Sequence, residues 1–558
     1  MTSSNTADRN IADVLEMIAA IVPDRPALIH DGRPVSWREL DERADSLATW
    51  LAARGVTRGD AIAIHTYNGP EYFVALFACF KISAVPFNSN YRIPAGRLEQ
   101  LWRHCAARGV VYTPTCEETV GEAVKALPSL LFTLPFDLSG ESRPNSGART
   151  GPTAASTRGR VGADGRSPDD HLIKCTGGTT GAPKALLWRQ GDVFHNINAY
   201  SARLRIPAEA GIKKIRALVM SSEPPRTFIA SPLIHGTGQM RALSTLLSAG
   251  CVVTVSGRFD PIRVLDAVEA AKCDTLGIVG DAFASQLVDT ARTVSRWKLA
   301  ELQTVTSSGA RWSAHTKADL LRLFPHLELL ESFGATEASG LGYSVSRDGS
   351  VAPDGVFKAG RATVLLDDAY QILKRSPQAV GRLAVSGRQA VGFIGDPDST
   401  RQVFQTIDGA RYALSSDLAS WLDGETFRHV GRSDGVANIG GHKVSLHLVE
   451  NVLRGARDVR DAAAIAVSDE RLGYRIAAFV ELGERGRTRP GAEGDLSRQC
   501  ATNLASYERP AVIAIGPLPR NDIGKIDMSA MRDRALRLLA PRTATAEIEQ
   551  VEEGSDHE

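Results

Sequence analysis

Short apolar runs alternate with amphipathic stretches of helical length, and this alternation limits what the chain can fold into more than any other feature. Ser36 and Glu39 form a capping-box pair, after which Leu40, Ala44, Leu47 and Leu51 recur at helical spacing up to a stop at Gly55. Residues 61–65 read as a short buried strand, 71–82 as an apolar helix and 109–112 as a second strand. The rhythm returns downstream, with a strand over 251–255, a helix over 262–272 and a strand over 275–279. Strands alternating with helices of this length predict βαβ units around parallel sheet, an α/β fold class. A chain of 558 residues is too long for one hydrophobic core, so two or more domains are expected.

Composition narrows the partners. Lys and Arg number 65 against 64 Asp and Glu, a formal charge of +1, so the basic excess of a nucleic-acid binder is missing and small molecules are the expected partners. The seven cysteines are scattered with no CxxC pair, several inside apolar runs, which speaks against a disulfide framework or a zinc site. A reducing, cytoplasmic location is expected. The first ten residues lack a signal-peptide core, and no run reaches the ~18–20 apolar residues that span a bilayer. Residues 139–170 are rich in Gly, Ser, Pro, Thr and Arg and predict a flexible surface insertion. Residues 542–558 end in an acidic run and predict a disordered tail.

The run KCTGGTTGAPK, from Lys174 to Lys184, carries the clearest chemistry. Gly177, Gly178 and Gly181 leave room for backbone N–H groups to approach an anion. Thr176, Thr179 and Thr180 add hydroxyl donors, and Lys184 adds a compact positive charge. Polyphosphate suits such a nest, and a glycine-rich surface turn is the plain alternative. A Walker loop needs Gly-Lys-Ser/Thr, whereas Pro183 precedes Lys184 and Ala185 follows it. No GxGxxG fingerprint is present.

This run resembles the signature loop of the adenylate-forming superfamily, which includes acyl-CoA synthetases, luciferases and nonribosomal-peptide adenylation domains. Continued by Trp188 and Arg189, it is most similar to actinobacterial fatty-acid and steroid-acid CoA ligases, with Ala185 where glycine is usual. The resemblance extends over roughly residues 10–535, with further motifs in the family's order. It implies a large N-terminal domain of βαβ-type sheets with helices, residues 1–433, that binds ATP and the acid. A small mobile α+β C-terminal domain, 434–541, would carry the catalytic lysine.

The remaining motifs assign roles by the same resemblance. VPFNSNYR (85–92) matches an early family segment, and PLIHGTG (232–238) supplies His235, which lines the acyl pocket. Phe228, Phe283, Gly309 and Phe333 join His235 as pocket candidates. In ESFGATE (331–337), Ser332, Phe333 and Gly334 cradle adenine, Thr336 contacts the α-phosphate, and Glu337 with Thr179 holds Mg²⁺. Asp417 accepts the ribose hydroxyls, with Ser416 where glycine is usual, and Arg432 contacts ribose or phosphate near the hinge. Gly440 and Gly441 face the CoA tunnel, and His442 stands where the nearest group usually has glutamate. Lys525, in PRNDIGKID, is the catalytic lysine, with His235 and Thr336 beside it in the chemistry. On composition alone Glu337 and Lys525 are ordinary surface charges; order and spacing mark them. Arg311 either reaches solvent or pairs with an acidic group of the substrate.

The activity so implied has two half-reactions. An acid oxygen attacks the α-phosphate of ATP to give an acyl-adenylate, with Lys525 stabilising the growing charge and Mg²⁺ the departing pyrophosphate. The small domain then rotates and the CoA thiol attacks the adenylate. The same adenylation serves other acids and acceptors. One alternative is an ATP-dependent diazotase that adenylates nitrite for capture by an aromatic amine; another is transfer to a carrier protein.

Overall fold

A computed structural model describes residues 9–138, 165–176, 184–201, 204–207, 210–377, 379–432, 435–439, 442–469, 473–483, 491–504, 508–521 and 525–539. The chain divides into two compact units, Met1–Val430 and Gly431–Glu558.

The first unit is built on two sheets. In the seven-stranded sheet, Ala61–His65 lies between parallel neighbours Val85–Asn88 and Ala107–Tyr112, and His171–Thr176 extends it beside Val85–Asn88. These strands are almost wholly apolar because helices cover them: Pro70–Lys81 is buried at every residue but Glu71. The capping box at Ser36 forms as the sequence predicts, with Ser36 Oγ accepting from the Glu39 N–H and opening the helix Trp37–Ala52.

The fourteen-stranded sheet is mixed. Pro26–His30, Cys251–Thr254, Arg226–Ile229, Thr275–Ile278, Thr304–Ser308 and Glu328–Phe333 are parallel neighbours in that order. From Gly342–Ser346 onward the paired strands run antiparallel. The sequence reading drew parallel sheet from the rhythm of residues up to 279 and assigned no strands here. Most of these strands are joined without a helix, Pro397–Val403 being an exception, so the regular strand–helix alternation of a βαβ unit is missing.

Residues 139–164 lie outside the described residues, as do 540–558, so the expected insertion and acidic tail fall there almost entirely. The end of the expected insertion is packed instead of flexible. Asp170 is buried, accepts from Ser83 Oγ at 2.8 Å and Asn10 Nδ2 at 3.0 Å, and pairs with Arg58 at 2.5 Å. Its partners lie 87 to 160 residues away, which is why local composition does not reveal them.

One buried charge cluster ties three helices together. Lys81 Nζ, 4% exposed, donates to Glu16 at 3.0 Å, Asp41 at 2.7 Å and Asp45 at 2.6 Å. Arg166 adds a bond to Glu16 at 2.8 Å. Burial pushes the Glu16 carboxyl up, but the Arg166 hydrogen bond and the Lys81 charge outweigh it and bring it down from 4.5 to about 2. A carboxyl depressed on folding contributes stability above its unfolded value and loses it as pH falls through its folded one. Urea midpoints should therefore drop between pH 4.5 and about 2, and the drop should be shallower in Glu16→Gln.

The second unit is α+β. An antiparallel hairpin, Val436–Ile439 with His442–Ser445, leads into the helix Leu446–Arg454. A three-stranded sheet follows, Val459–Asp469 antiparallel to Gly473–Leu482 and the latter parallel to Val512–Ile515. Helices Ala492–Asn503 and Met528–Leu539 pack on it through Leu496, Cys500, Met531 and Ala535.

Candidate active site

The strands flanking the phosphate loop pair antiparallel, with Thr176 opposite Lys184, so the run between them starts and ends at one point of the sheet. Gly177, Gly178, Thr179, Thr180 and Gly181 lie outside the described residues. Lys184 is half-buried, with Nζ 5.5 Å from the Phe393 ring centre.

Ser332 and Phe333 close the strand Glu328–Phe333, and Gly334 begins a tight turn at its carboxyl end. The turn is held by the Ala335 N–H donating to the Ala338 carbonyl at 2.9 Å. A Cβ at Gly334 would come 3.1 Å from that carbonyl oxygen, so any side chain there would press on the turn. Thr336 and Glu337 follow, both half-buried. The preceding residue, Glu331, is locked by a buried pair with Lys317 at 2.5 Å. Burial pushes the Glu331 carboxyl up while Lys317 opposes it.

Asp417 stands on a β-bulge. The register between Val380–Ser386 and Ala410–Trp421 shifts so that Arg382 faces Leu418 while Ala384 faces Leu414, leaving Ser415, Ser416 and Asp417 opposite a single residue. Arg382 Nε donates to the Ser415 carbonyl at 2.6 Å and fixes the bulge. Ser415 Oγ donates to one Asp417 carboxylate oxygen and accepts from the Asp417 N–H at 3.1 Å. Ser416, standing where glycine is usual, is thus accommodated within the strand Ala410–Trp421.

His429 was missed by the sequence reading. Its Nε2 lies 3.1 Å from the second Asp417 oxygen, and its ring lies 5.2 Å from that of Phe333. Phe333 also packs on Phe357 at 4.7 Å and Phe427 at 5.9 Å. The only local signal was the strand alternation that puts Phe427 and His429 on one face. His429 therefore connects the ribose and adenine candidates directly.

The pocket candidates divide. His235 caps the helix Gly236–Leu247, and Thr237 in its first turn accepts from Ser308 Oγ at 3.0 Å. Gly309 takes φ +81°, and a Cβ there would lie 3.1 Å from Thr237 Oγ1, so it abuts the helix start. Phe228 is buried in the hydrophobic core, and Phe283 is partly buried against Phe259 at 4.5 Å. Arg311 is an ion-pair residue: it bonds Asp354 and lies 4.0 Å from Asp281. Neither fate expected for it from sequence describes that pairing.

Two other cations emerge. Lys174 is buried, its Nζ 3.3 Å from Met240 Sδ and 4.2 Å from the Trp188 ring centre. Burial draws its pKa from 10.5 down to about 7. Arg241, the next residue after Met240, is half-buried, and burial lowers its pKa as well. Nothing in the local sequence distinguishes either from a surface charge.

In the second unit, Arg432 ends the strand Thr426–Arg432, and Gly440 and Gly441 lie outside the described residues. His442 faces Ile439 across the hairpin. Lys525 is exposed; its N–H donates to Asn521 Oδ1 at 3.0 Å and its carbonyl accepts from the Asn521 N–H at 2.7 Å.

The large mixed α/β unit on two sheets and the smaller α+β unit are the fold of adenylate-forming enzymes. Among solved structures the chain matches an anthranilate CoA ligase, AuaEII, in complex with anthranoyl-AMP, with a TM-score of 0.78 and 19% identity over 95% of this chain and 98% of that one. It also matches the amide bond synthetase McbA from Marinactinospora thermotolerans, with a TM-score of 0.76 and 19% identity over 94% and 99%. The chain belongs to the AMP-binding enzyme family, whose model matches residues 15–392. The AMP-binding enzyme C-terminal domain matches residues 448–525. Similar curated proteins are the medium-chain acyl-CoA ligase Mig of Mycobacterium avium, 29% identical over 96% of this chain and all of the relative, and the 3-oxocholest-4-en-26-oate–CoA ligase of Rhodococcus rhodochrous, 29% identical over 94% and 96%. Among the described residues, no helix is long and apolar enough to cross a membrane.

Proposed function

We propose that the chain activates an acid with ATP through an acyl-adenylate and transfers the acyl group to CoA. The observation that carries this reading is the match along almost the whole chain to acyl-CoA ligases, which spans both the N-terminal and C-terminal family regions.

In the first half-reaction an acid oxygen bonds to the α-phosphorus and the bond to the β-phosphate oxygen breaks, releasing pyrophosphate. The loop from Thr176 to Lys184 grips the leaving phosphates, and the positive charge of Lys525 meets the charge that builds at the α-phosphate. Asp417 holds the ribose hydroxyls, and His429 keeps that carboxylate aimed beside the Phe333 ring. Glu337, a half-buried carboxylate beside the Thr336 hydroxyl, and Thr179 offer the hard oxygen donors that suit Mg²⁺. Bound there, the ion would screen charge on the leaving group. In the second half-reaction the CoA sulfur bonds to the acyl carbon, its proton is lost and AMP leaves; Gly440 and Gly441 give the thiol arm a path past the backbone.

A second reading keeps the adenylation and changes the partners, with nitrite as the acid and an aromatic amine as the acceptor. Pyrophosphate release measured with a panel of organic acids and with nitrite, with and without CoA and an aromatic amine, separates the two. Turnover that requires an organic acid and CoA is expected. Turnover that requires nitrite and an amine, indifferent to CoA, would instead identify a diazotase.

A further inference from the structure

Arg241 has no acidic partner: among the described residues its side chain makes no ion pair or hydrogen bond, and its carbonyl accepts from Thr245 Oγ1 at 3.0 Å. Its nitrogens are nevertheless not among the buried polar atoms sealed from both solvent and partners. A half-buried guanidinium with no protein partner is placed to meet an anion rather than to pack as a core residue. Its position agrees. Arg241 lies one helical turn beyond Thr237, on the face that meets Ser308 and Gly309. Its Cγ would lie 3.6 Å from a Cβ at Gly277, in the strand Thr275–Ile278 that neighbours Thr304–Ser308. Arg241 thus stands over the carboxyl ends of the same parallel strands whose next neighbour, Glu328–Phe333, leads into the Ser332–Glu337 turn.

Lys174 contacts the residue before Arg241: its Nζ rests on the Met240 thioether and the Trp188 ring, soft partners that carry no formal charge. The Arg241 side chain thus has no carboxylate bonded to it among the described residues. A pocket meant for a plain hydrocarbon chain gains nothing from that arrangement, because taking unpaired charge out of water is costly. A bound oxyanion would complete it.

We propose that Arg241 gives the acid site a contact for an anionic group, so that it prefers a substrate that supplies one to a monocarboxylic acid with a plain apolar chain. This rests on the reading of the chain as an acid-activating enzyme. Two sources share the chemistry: a second carboxylate on the organic acid, or a compact inorganic oxyanion.

The test compares suberate, octanoate, and nitrite with an aromatic amine in pyrophosphate release, for the wild type, Arg241→Leu and Arg241→Lys. Suberate or nitrite should exceed octanoate in kcat/KM, and Arg241→Leu should cut that advantage by roughly 10- to 100-fold, the worth of a hydrogen bond to a charged group. Arg241→Lys should retain part of it. A suberate advantage assigns the anion to the organic acid, and a nitrite advantage assigns it to the inorganic ion. Octanoate equal to both in the wild type, or a preference unchanged in Arg241→Leu, overturns the proposal. If no acid releases pyrophosphate, acid activation itself fails. The thermal shift produced by suberate or nitrite then decides this inference: a shift lost in Arg241→Leu and kept in Arg241→Lys supports it, and no shift or an equal shift in all three refutes it.

Discussion

Lys525→Ala should slow acid-dependent pyrophosphate release by on the order of 10²–10³-fold, the usual cost of removing one group that meets transition-state charge. The same variant should convert supplied acyl-AMP and CoA to the thioester at close to the wild-type rate. The asymmetry arises because negative charge grows at the α-phosphate only while the adenylate is being made, whereas thiol attack occurs at the acyl carbon. Lys525 is exposed, and its backbone is held by Asn521. Equal loss of both half-reactions would remove Lys525 from the adenylation step.

Lys81→Met should produce the largest stability loss. It leaves Glu16, Asp41 and Asp45, with side chains 18 to 24% exposed, without the cation that now bonds all three. Breaking a buried ion pair from one side costs about 3–5 kcal/mol, because the stranded charge has lost its water as well as its partner. Arg166 still neutralises Glu16, so the strain should concentrate on Asp41 and Asp45. Burial already pushes the Asp41 carboxyl up against the pull of Lys81. Urea denaturation at neutral pH measures the loss, and adding Asp41→Asn and Asp45→Asn to the variant should recover part of it. An unchanged midpoint would show that the cluster is solvated rather than buried.

Local features of the fold were legible because their physics is local. The Ser36–Glu39 box and the strand Ala61–His65 each depend on residues within a few positions of one another. The antiparallel half from Gly342 to Trp421 was not legible, because its strands do not alternate regularly with helices and their order is set by long-range pairing. The site divides in the same way. Turns that carry glycine and threonine at fixed spacing could be read from the chain. The contacts that tune them could not: His429 meets Asp417 across neighbouring strands, and Arg382 reaches the Ser415 bulge from 33 residues away. Arg311 and Arg241 are the sharpest case. Both are arginines near the expected pocket; one is paired by Asp354, 43 positions on, and the other has no acid partner among the described residues. Only folded geometry separates them.

Cleavage at the α-phosphate is the claim on which every proposed role depends, and the nucleotide products test it most directly. Incubated with ATP, Mg²⁺ and an accepted acid, the protein should release AMP and pyrophosphate in equal amounts. Release should depend on the acid and fall sharply in Lys525→Ala. Formation of ADP and orthophosphate instead, at a rate indifferent to Lys525, would contradict an adenylating enzyme.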